Sequence, residues 1–288
     1  METWFWIVGW SLSILTITGN GFIIFLVNSK RQLRTKTNTF VVSLAVADFC
    51  VGMSVVPLEF LCDITDGCKW PRSWLSWMQL IKWLFRYTSV TNLCSLVLDR
   101  YIAVVKPLKY LTFMTRRRVI YMISFSWVFP FGFVILTTAL LIHSKPKILD
   151  IIVTCLIMIF CELLPCFILI FFVGSMVYLV FKHEKAARTL AKQLRFSHGV
   201  LYKSHEKTTV KIMVIIVGLF LLCYGTLLRC SILVLADFRS QCNDKAYKIL
   251  LLVLNSALNP LAYAVLKRDI KKESKRFYEV IFKKGNKS

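Results

Sequence analysis

Four ionisable side chains within one apolar stretch pose the chemical question. Lys82, Arg86, Asp99 and Arg100 are separated by runs such as Asn92–Leu98, NLCSLVL. If the stretch is helical, about 100° per residue brings Lys82, Arg86, Ser89 and Arg100 within roughly 60° of one another on a single stripe. Lys82 and Arg100 then stand five turns, roughly 27 Å, apart at opposite ends of that stripe. Such groups do recognition chemistry rather than bond making. An ammonium and a guanidinium take carboxylates and phosphates, and Arg100 beside Asp99 makes a charge contact that a partner can compete for. Two cations one turn apart, Lys82 and Arg86, suit an anionic ligand. They equally suit internal pairing, Glu59 with Lys82 and Glu162 with Arg86 or Arg229, and both readings stay open.

A second polar group gathers around Asp48 in SLAVAD (43–48) and around Asn255, Ser256, Asn259 and Tyr263. An oxygen-rich lining with one carboxylate suits a hard cation. The plainer reading is hydrogen bonding between helices, which small and amide side chains supply inside membranes.

These residues need a scaffold that keeps polar groups away from lipid. The chain has 288 residues, 57% of them hydrophobic and 14% aromatic, with a mean hydropathy of +0.64. A membrane-spanning helix needs about 20 predominantly apolar residues. Seven segments meet this: 4–27, 40–61, 74–105, 119–142, 148–181, 210–236 and 247–266. Such runs are far too long for the roughly ten-residue alternating strands of a membrane barrel. The expected fold is therefore an all-α membrane protein, a seven-helix bundle over 1–266. Residues 267–288 form a short amphipathic eighth helix and tail, with Phe277, Ile281 and Phe282 as its apolar contacts. The first apolar run lacks the basic leader and small-residue cleavage site of a signal peptide.

The net charge of +22 is distributed unevenly: 26 of the 37 Lys and Arg fall in alternate loops and the tail, and only seven in the opposite loops. The positive-inside rule places the N-terminus outside the cell and the C-terminus in the cytoplasm. The basic loops read as topology and contact with anionic lipids, not as a nucleic-acid surface. Of the ten cysteines, Cys62, Cys68 and Cys242 lie in or near outside loops, where oxidation is expected, and a Cys62–Cys68 bridge is one pairing. Pro57, Pro130, Pro165 and Pro260 fall within spans, where each frees a backbone carbonyl that neighbouring helices must satisfy.

Taken in order, Gly19-Asn20, Leu44-Ala45-Val46-Ala47-Asp48, Asp99-Arg100-Tyr101, Trp127, Pro165 and Asn259-Pro260-Leu261-Ala262-Tyr263 resemble the motifs of rhodopsin-like G-protein-coupled receptors. The likeness covers nearly the whole chain. It implies a plasma-membrane receptor with no enzymatic activity, an extracellular ligand, and a heterotrimeric G protein as partner. Arrestin is expected to be a lesser partner, because the tail offers only Ser274 and Ser288 as phosphate acceptors. The resemblance also assigns roles. Asp99 and Glu206 would hold Arg100 at rest, and Tyr101, Tyr224, Asn259, Pro260 and Tyr263 would belong with them to the activation switch. Asp48, Ser89, Asn255, Ser256 and Asn259 would hold an allosteric sodium ion. Glu59, Lys82, Arg86, Glu162 and Tyr224 would face the ligand.

Departures from the family pattern matter as well. The sixth span reads Cys223-Tyr224-Gly225-Thr226 where the family usually has Cys-Trp-x-Pro, and Val173 replaces a common tyrosine. Leu75 stands where the family's cysteine ties the third helix to the second outside loop, so that bridge is expected to be absent. The second span is similar to amine receptors, yet Lys82 occupies the place of their amine-binding aspartate. A cationic amine facing Lys82 and Arg86 is disfavoured, and Val253 at the opsin lysine position disfavours retinal. An anionic small molecule or lipid is the preferred ligand, against an amine or peptide. A transporter or channel remains the competing class, since charges could also line a pathway.

Overall fold

The computed structural model describes residues 2–65, 72–143, 147–193, 203–235 and 245–285. The elements are α1 (Thr3–Ser29), α2 (Lys36–Ile64), α3 (Arg72–Val105), α4 (Pro107–Phe113), α5 (Arg116–His143), α6 (Lys147–Ile157), a π-helical turn (Met158–Leu163), α7 (Leu164–Gln193), α8 (Lys203–Leu235), α9 (Lys245–Leu266) and α10 (Arg268–Gly285). The seven expected spans are α1, α2, α3, α5, the continuous run from α6 through the π turn to α7, α8 and α9.

Five of these spans hold helix long and apolar enough to cross a membrane by composition alone. The run α6–α7 is one of them, whereas α3 is not, because it carries Lys82, Arg86, Asp99 and Arg100. Its neighbours solve that problem: α3 packs against α2, α5, α7 and α8, and Arg86 and Asp99 are buried there. The apolar side chains that point away from the bundle, such as Phe25, Val128, Phe167, Phe171 and Leu222, are exposed, as a lipid-facing surface requires.

Proline positions explain several contacts between helices. Pro260 has no N–H, so the Ser256 carbonyl four residues earlier loses its helical donor. Asn20 Nδ2 on α1 donates to that oxygen at 3.2 Å. The close approach this needs is permitted by Gly19, where a Cβ would lie 2.9 Å from Pro260 Cγ. Likewise Pro130 frees the Ser126 carbonyl, and Thr91 Oγ1 on α3 donates to it at 2.7 Å. Pro165 is handled within its own span: the helix widens to a π turn just before it, with Leu164 N–H reaching back to the Ile159 carbonyl.

The main core runs from Ile23 and Leu44 through Leu96, Val97 and Phe220 to Tyr263 and Ile270. Smaller clusters, Val51–Val55–Val56–Val253 and Tyr87–Val134–Cys161, lie toward the Lys82 end. At the other end α10 leaves α9 at 86°. It docks through buried Ile270 and through Phe277, whose ring centroid lies 5.7 Å from Phe22 and 5.8 Å from Phe25. Phe277 is thus a contact with α1, while the side chains of Ile281 and Phe282 lie outside the described residues.

Candidate functional site

The stripe on α3 is real, and it opens into a cavity at each end. At the Lys82 end a cavity of about 360 Å³ is lined by Glu59, Lys82, Trp83, Arg86, Glu162 and Ser231, among others. Lys82 Nζ donates to Glu59 Oε1 on α2 at 2.5 Å. Arg86 Nη2 donates to Glu162 Oε1 at 3.4 Å. Glu162 belongs to the π turn, whose altered register buries it while Ile159 and Phe160 stay exposed. Its second oxygen accepts from Ser231 Oγ on α8 at 2.8 Å. The Arg86 guanidinium carbon lies 5.1, 5.5 and 5.2 Å from the ring centres of Trp83, Tyr87 and Tyr224, a cation–π enclosure on three sides. Arg86 Nε nevertheless has no hydrogen-bond partner, though it is buried.

Both internal pairings considered from the sequence therefore exist, and Glu162 selects Arg86. Arg229 is exposed on α8. The cysteine expectation needs correction. Cys230, within the last two turns of α8 and lining this cavity, is disulfide-bonded, as is Cys62. Loop position predicts oxidation only at Cys62, Cys68 and Cys242, and Cys230 adds a position within a span, whereas Cys50, Cys94, Cys161 and Cys223 are free. The Cys62–Cys68 pairing involves Cys68, outside the described residues.

At mid-depth, Asp48 is fully buried and its carboxylate gathers donors from two helices. Oδ1 accepts from Ser89 Oγ at 2.6 Å and from Ser256 Oγ at 2.7 Å, and Oδ2 accepts from Asn259 Nδ2 at 2.7 Å. A carboxylate and two hydroxyl oxygens converging in this way fit a hard monovalent cation. Asn255 is buried nearby, yet it makes no hydrogen bond to Asp48, so four of the five expected residues come together. Beside them runs a chain not anticipated from the sequence: Trp127 Nε1 donates to Ser43 Oγ at 3.0 Å, and Ser43 Oγ donates to Asn92 Oδ1 at 2.6 Å.

At the Arg100 end, Asp99 is fully buried. It accepts from Arg100 Nε at 2.9 Å and Nη2 at 2.5 Å, from Thr37 Oγ1 at 3.1 Å and from Tyr110 Oη at 2.8 Å. Arg100 also donates to Thr37 Oγ1. Glu206 lies on α8, but its side chain falls outside the described residues, so its contact with Arg100 has no structural counterpart here. Tyr101, third residue of the motif, turns away from Arg100 and packs on Phe172, with ring centroids 4.7 Å apart. A second cavity, about 290 Å³, lies between α2, α3, α8 and α9 and is lined by Thr37, Asn38, Arg100, Tyr110, Tyr263 and Lys267 among others. Tyr263 Oη is buried there without a partner. Lys267, just past the end of α9, donates to Asn38 Oδ1. Burial, followed by the nearby positive charge of Arg100, pushes its amine down to about 8, against the smaller opposing pull of Asp269 and Asp99.

The comparisons fit this geometry. Residues 19–263 match the family described as 7 transmembrane receptor (rhodopsin family). The chain belongs to that family. It is 30% identical over 281 residues to a histamine H2 receptor of Cavia porcellus, covering 90% of this chain and 75% of that receptor. It is 34% identical over 119 residues to octopamine receptor 1 of Lymnaea stagnalis, 41% of this chain and 18% of the relative. It is also 37% identical over 121 residues to a probable G-protein coupled receptor No9 of Amphibalanus amphitrite, 42% of this chain and 25% of the relative. The chain thus spans a quarter or less of the length of these last two relatives. Family membership makes it a multi-pass membrane receptor and not an enzyme, and removes the transporter or channel alternative.

Proposed function

We propose that this receptor carries an extracellular signal to a heterotrimeric G protein, with the Lys82 end outside the cell and the Arg100 end in the cytoplasm. The observation that supports this most directly is that one helix, α3, places a cation in a cavity at each of its ends. A small ligand bearing an acidic group enters the outer cavity and engages Arg86, whose buried Nε–H has no acceptor and is left to donate to it. The relatives are named for histamine, octopamine and 5-hydroxytryptamine. An amine alone fits this cavity poorly, because three bases, Lys82, Arg86 and Lys248, line it against two acids, Glu59 and Glu162.

Displacing the contacts of α3 with α2 and α8 at the outer end shifts the balance between two packings of the bundle. At the inner end Arg100 exchanges Asp99 for a group on the G protein, and Tyr263 exchanges its unpartnered hydroxyl for a hydrogen bond. A sodium ion held by Asp48 with the Ser89 and Ser256 hydroxyls would favour the resting packing, by supplying positive charge at the fully buried carboxylate.

The test is G-protein activation in cells expressing the chain, with and without Arg100→Ala and Glu206→Ala. Acidic ligands should stimulate the parent chain, and Arg100→Ala should abolish that response at equal surface expression. A response that survives Arg100→Ala would overturn the assignment of the output end.

A further inference from the structure

The two acid–base pairs in the outer cavity are not equivalent, and their difference narrows the ligand class. Lys82 and Glu59 meet at 2.5 Å, a closed contact. Arg86 and Glu162 meet through a single 3.4 Å contact, although both side chains are almost fully buried. Each member of that open pair keeps unused capacity. Arg86 Nε is an orphaned donor, and Glu162 is held through Oε2 by Ser231 while Oε1 makes only the long contact to Arg86.

A ligand with one charge gains little from such a pair. A lone carboxylate placed on Arg86 faces Glu162 at close range, and a lone ammonium placed on Glu162 faces Arg86. In both cases like charges meet in a site with little water, and one buried ion loses part of its partner. A group carrying both charges avoids this. Its carboxylate lies on the Arg86 guanidinium and satisfies Nε, its ammonium lies on Glu162 Oε1, and the four charges alternate in sign. Trp83 and the apolar wall formed by Val55, Leu227 and Leu252 line the rest of the cavity, which has room for an uncharged side chain.

We infer that the outer cavity recognises a zwitterionic α-amino-acid head group, inserted between Arg86 and Glu162, with an apolar or aromatic side chain directed to the cavity wall. This rests on the acidic-ligand reading above and adds the ammonium to it.

The experiment uses matched sets that share a skeleton: phenylalanine, phenethylamine and 3-phenylpropionate, and the corresponding trio built on indole. Each is applied to cells expressing the full chain, with G-protein activation and surface expression both recorded. The amino acid should be at least roughly tenfold more potent than its amine and its acid, since losing one buried charge contact costs more than about 1.4 kcal/mol. Glu162→Gln should erase the preference from both sides, weakening the amino acid, which loses the partner of its ammonium, and strengthening the acid, which no longer meets a like charge beside Arg86. Ser231→Ala, a milder change that leaves both charges in place, should reduce that preference in the same direction.

If the acid and the amino acid are equally potent on the parent chain, the inference fails and the acidic-ligand reading survives. If only the amine is active, both fail. If Glu162→Gln, present at normal levels on the surface, keeps the full preference for the amino acid, the placement of the ammonium is wrong.

Discussion

The two ends of α3 hold their charges by different connections. At the outer end each cation is paired across a helix boundary, Lys82 to α2 and Arg86 to the π turn. At the inner end Arg100 is paired with its own neighbour in the chain, Asp99. A contact between helices cannot be altered without altering how those helices sit, so a ligand that competes at Arg86 acts on packing. The ion pair within α3 can be exchanged without separating two charges held on different helices, so handing Arg100 to a new partner breaks, among the described residues, only neutral contacts with other helices, such as that with Thr37 on α2. The surrounding cores agree with this division. The extensive apolar cluster lies at mid-depth and toward Arg100, whereas only the small Val51 and Tyr87 clusters support the end that contains the larger cavity. The input end is open and ionic, and the output end is an arginine paired within its own helix on a well-packed base.

The contrast breaks first at Arg86. Arg86→Leu leaves Glu162 buried and without its cation, which should cost about 3–5 kcal/mol of stability. Arg86→Leu combined with Glu162→Leu should recover most of that loss. Thermal unfolding of the purified receptor decides it: a single variant as stable as the double would mean the pair is not acting as a buried ion pair. Arg100→Ala should fall well short of this, because Asp99 keeps Thr37 and Tyr110 as donors, and its main effect should be on signalling. If Arg100→Ala unfolds as readily as Arg86→Leu, the distinction between the two ends is lost.

The next effect tests the base on which the output end stands. Gly19→Ala drives a methyl group to within 2.9 Å of the Pro260 ring, an overpacking that should cost about 1–3 kcal/mol. Thr91→Val, which keeps the shape but removes the donor to the Ser126 carbonyl, should cost about 0.6–2 kcal/mol. An unchanged melting temperature for Thr91→Val would mean that the carbonyl freed by Pro130 finds another donor.

These residues also show how far sequence reading reaches. The seven spans and the α3 stripe follow from periodicity and polarity, because the cost of burying charge in lipid leaves few arrangements, whereas the place of Ser89 beside Asp48 comes from the family resemblance. The pairing of Lys82 with Glu59 could be foreseen as an option but not chosen, since the choice depends on how α2 and α3 are rotated. The inward turn of Glu162 depends on a π turn that a regular helical wheel does not contain, although Pro165 marks where regularity fails. That Asn20 and Thr91 serve the carbonyls freed by Pro260 and Pro130 could have been sought from the prolines, by looking for polar side chains on adjacent helices. Cys230 could not be found this way, because its apolar sequence context resembles that of the free cysteines.

The smallest effect concerns Lys267, which shares the inner cavity with Arg100. Its amine is lowered from about 10.5 to about 8, so between those values the folded receptor holds this lysine neutral while the unfolded chain keeps it protonated. The unfolded state then binds the extra proton, and stability must rise as pH increases through that window. Below about pH 8 the lysine is charged in both states, and its repulsion from Arg100 opposes the resting packing. With allowance for its partial exposure, the gain between pH 8 and pH 10 should be on the order of 1 kcal/mol. It should appear as a difference between the melting curves of the parent chain and Lys267→Gln across that range, which cancels every other titrating group. If the two curves stay parallel, Lys267 meets solvent freely and Arg100 is restrained by Asp99, Thr37 and Tyr110 alone. If they converge as the pH rises, the inner cavity carries a positive charge that a G protein must neutralise together with Arg100.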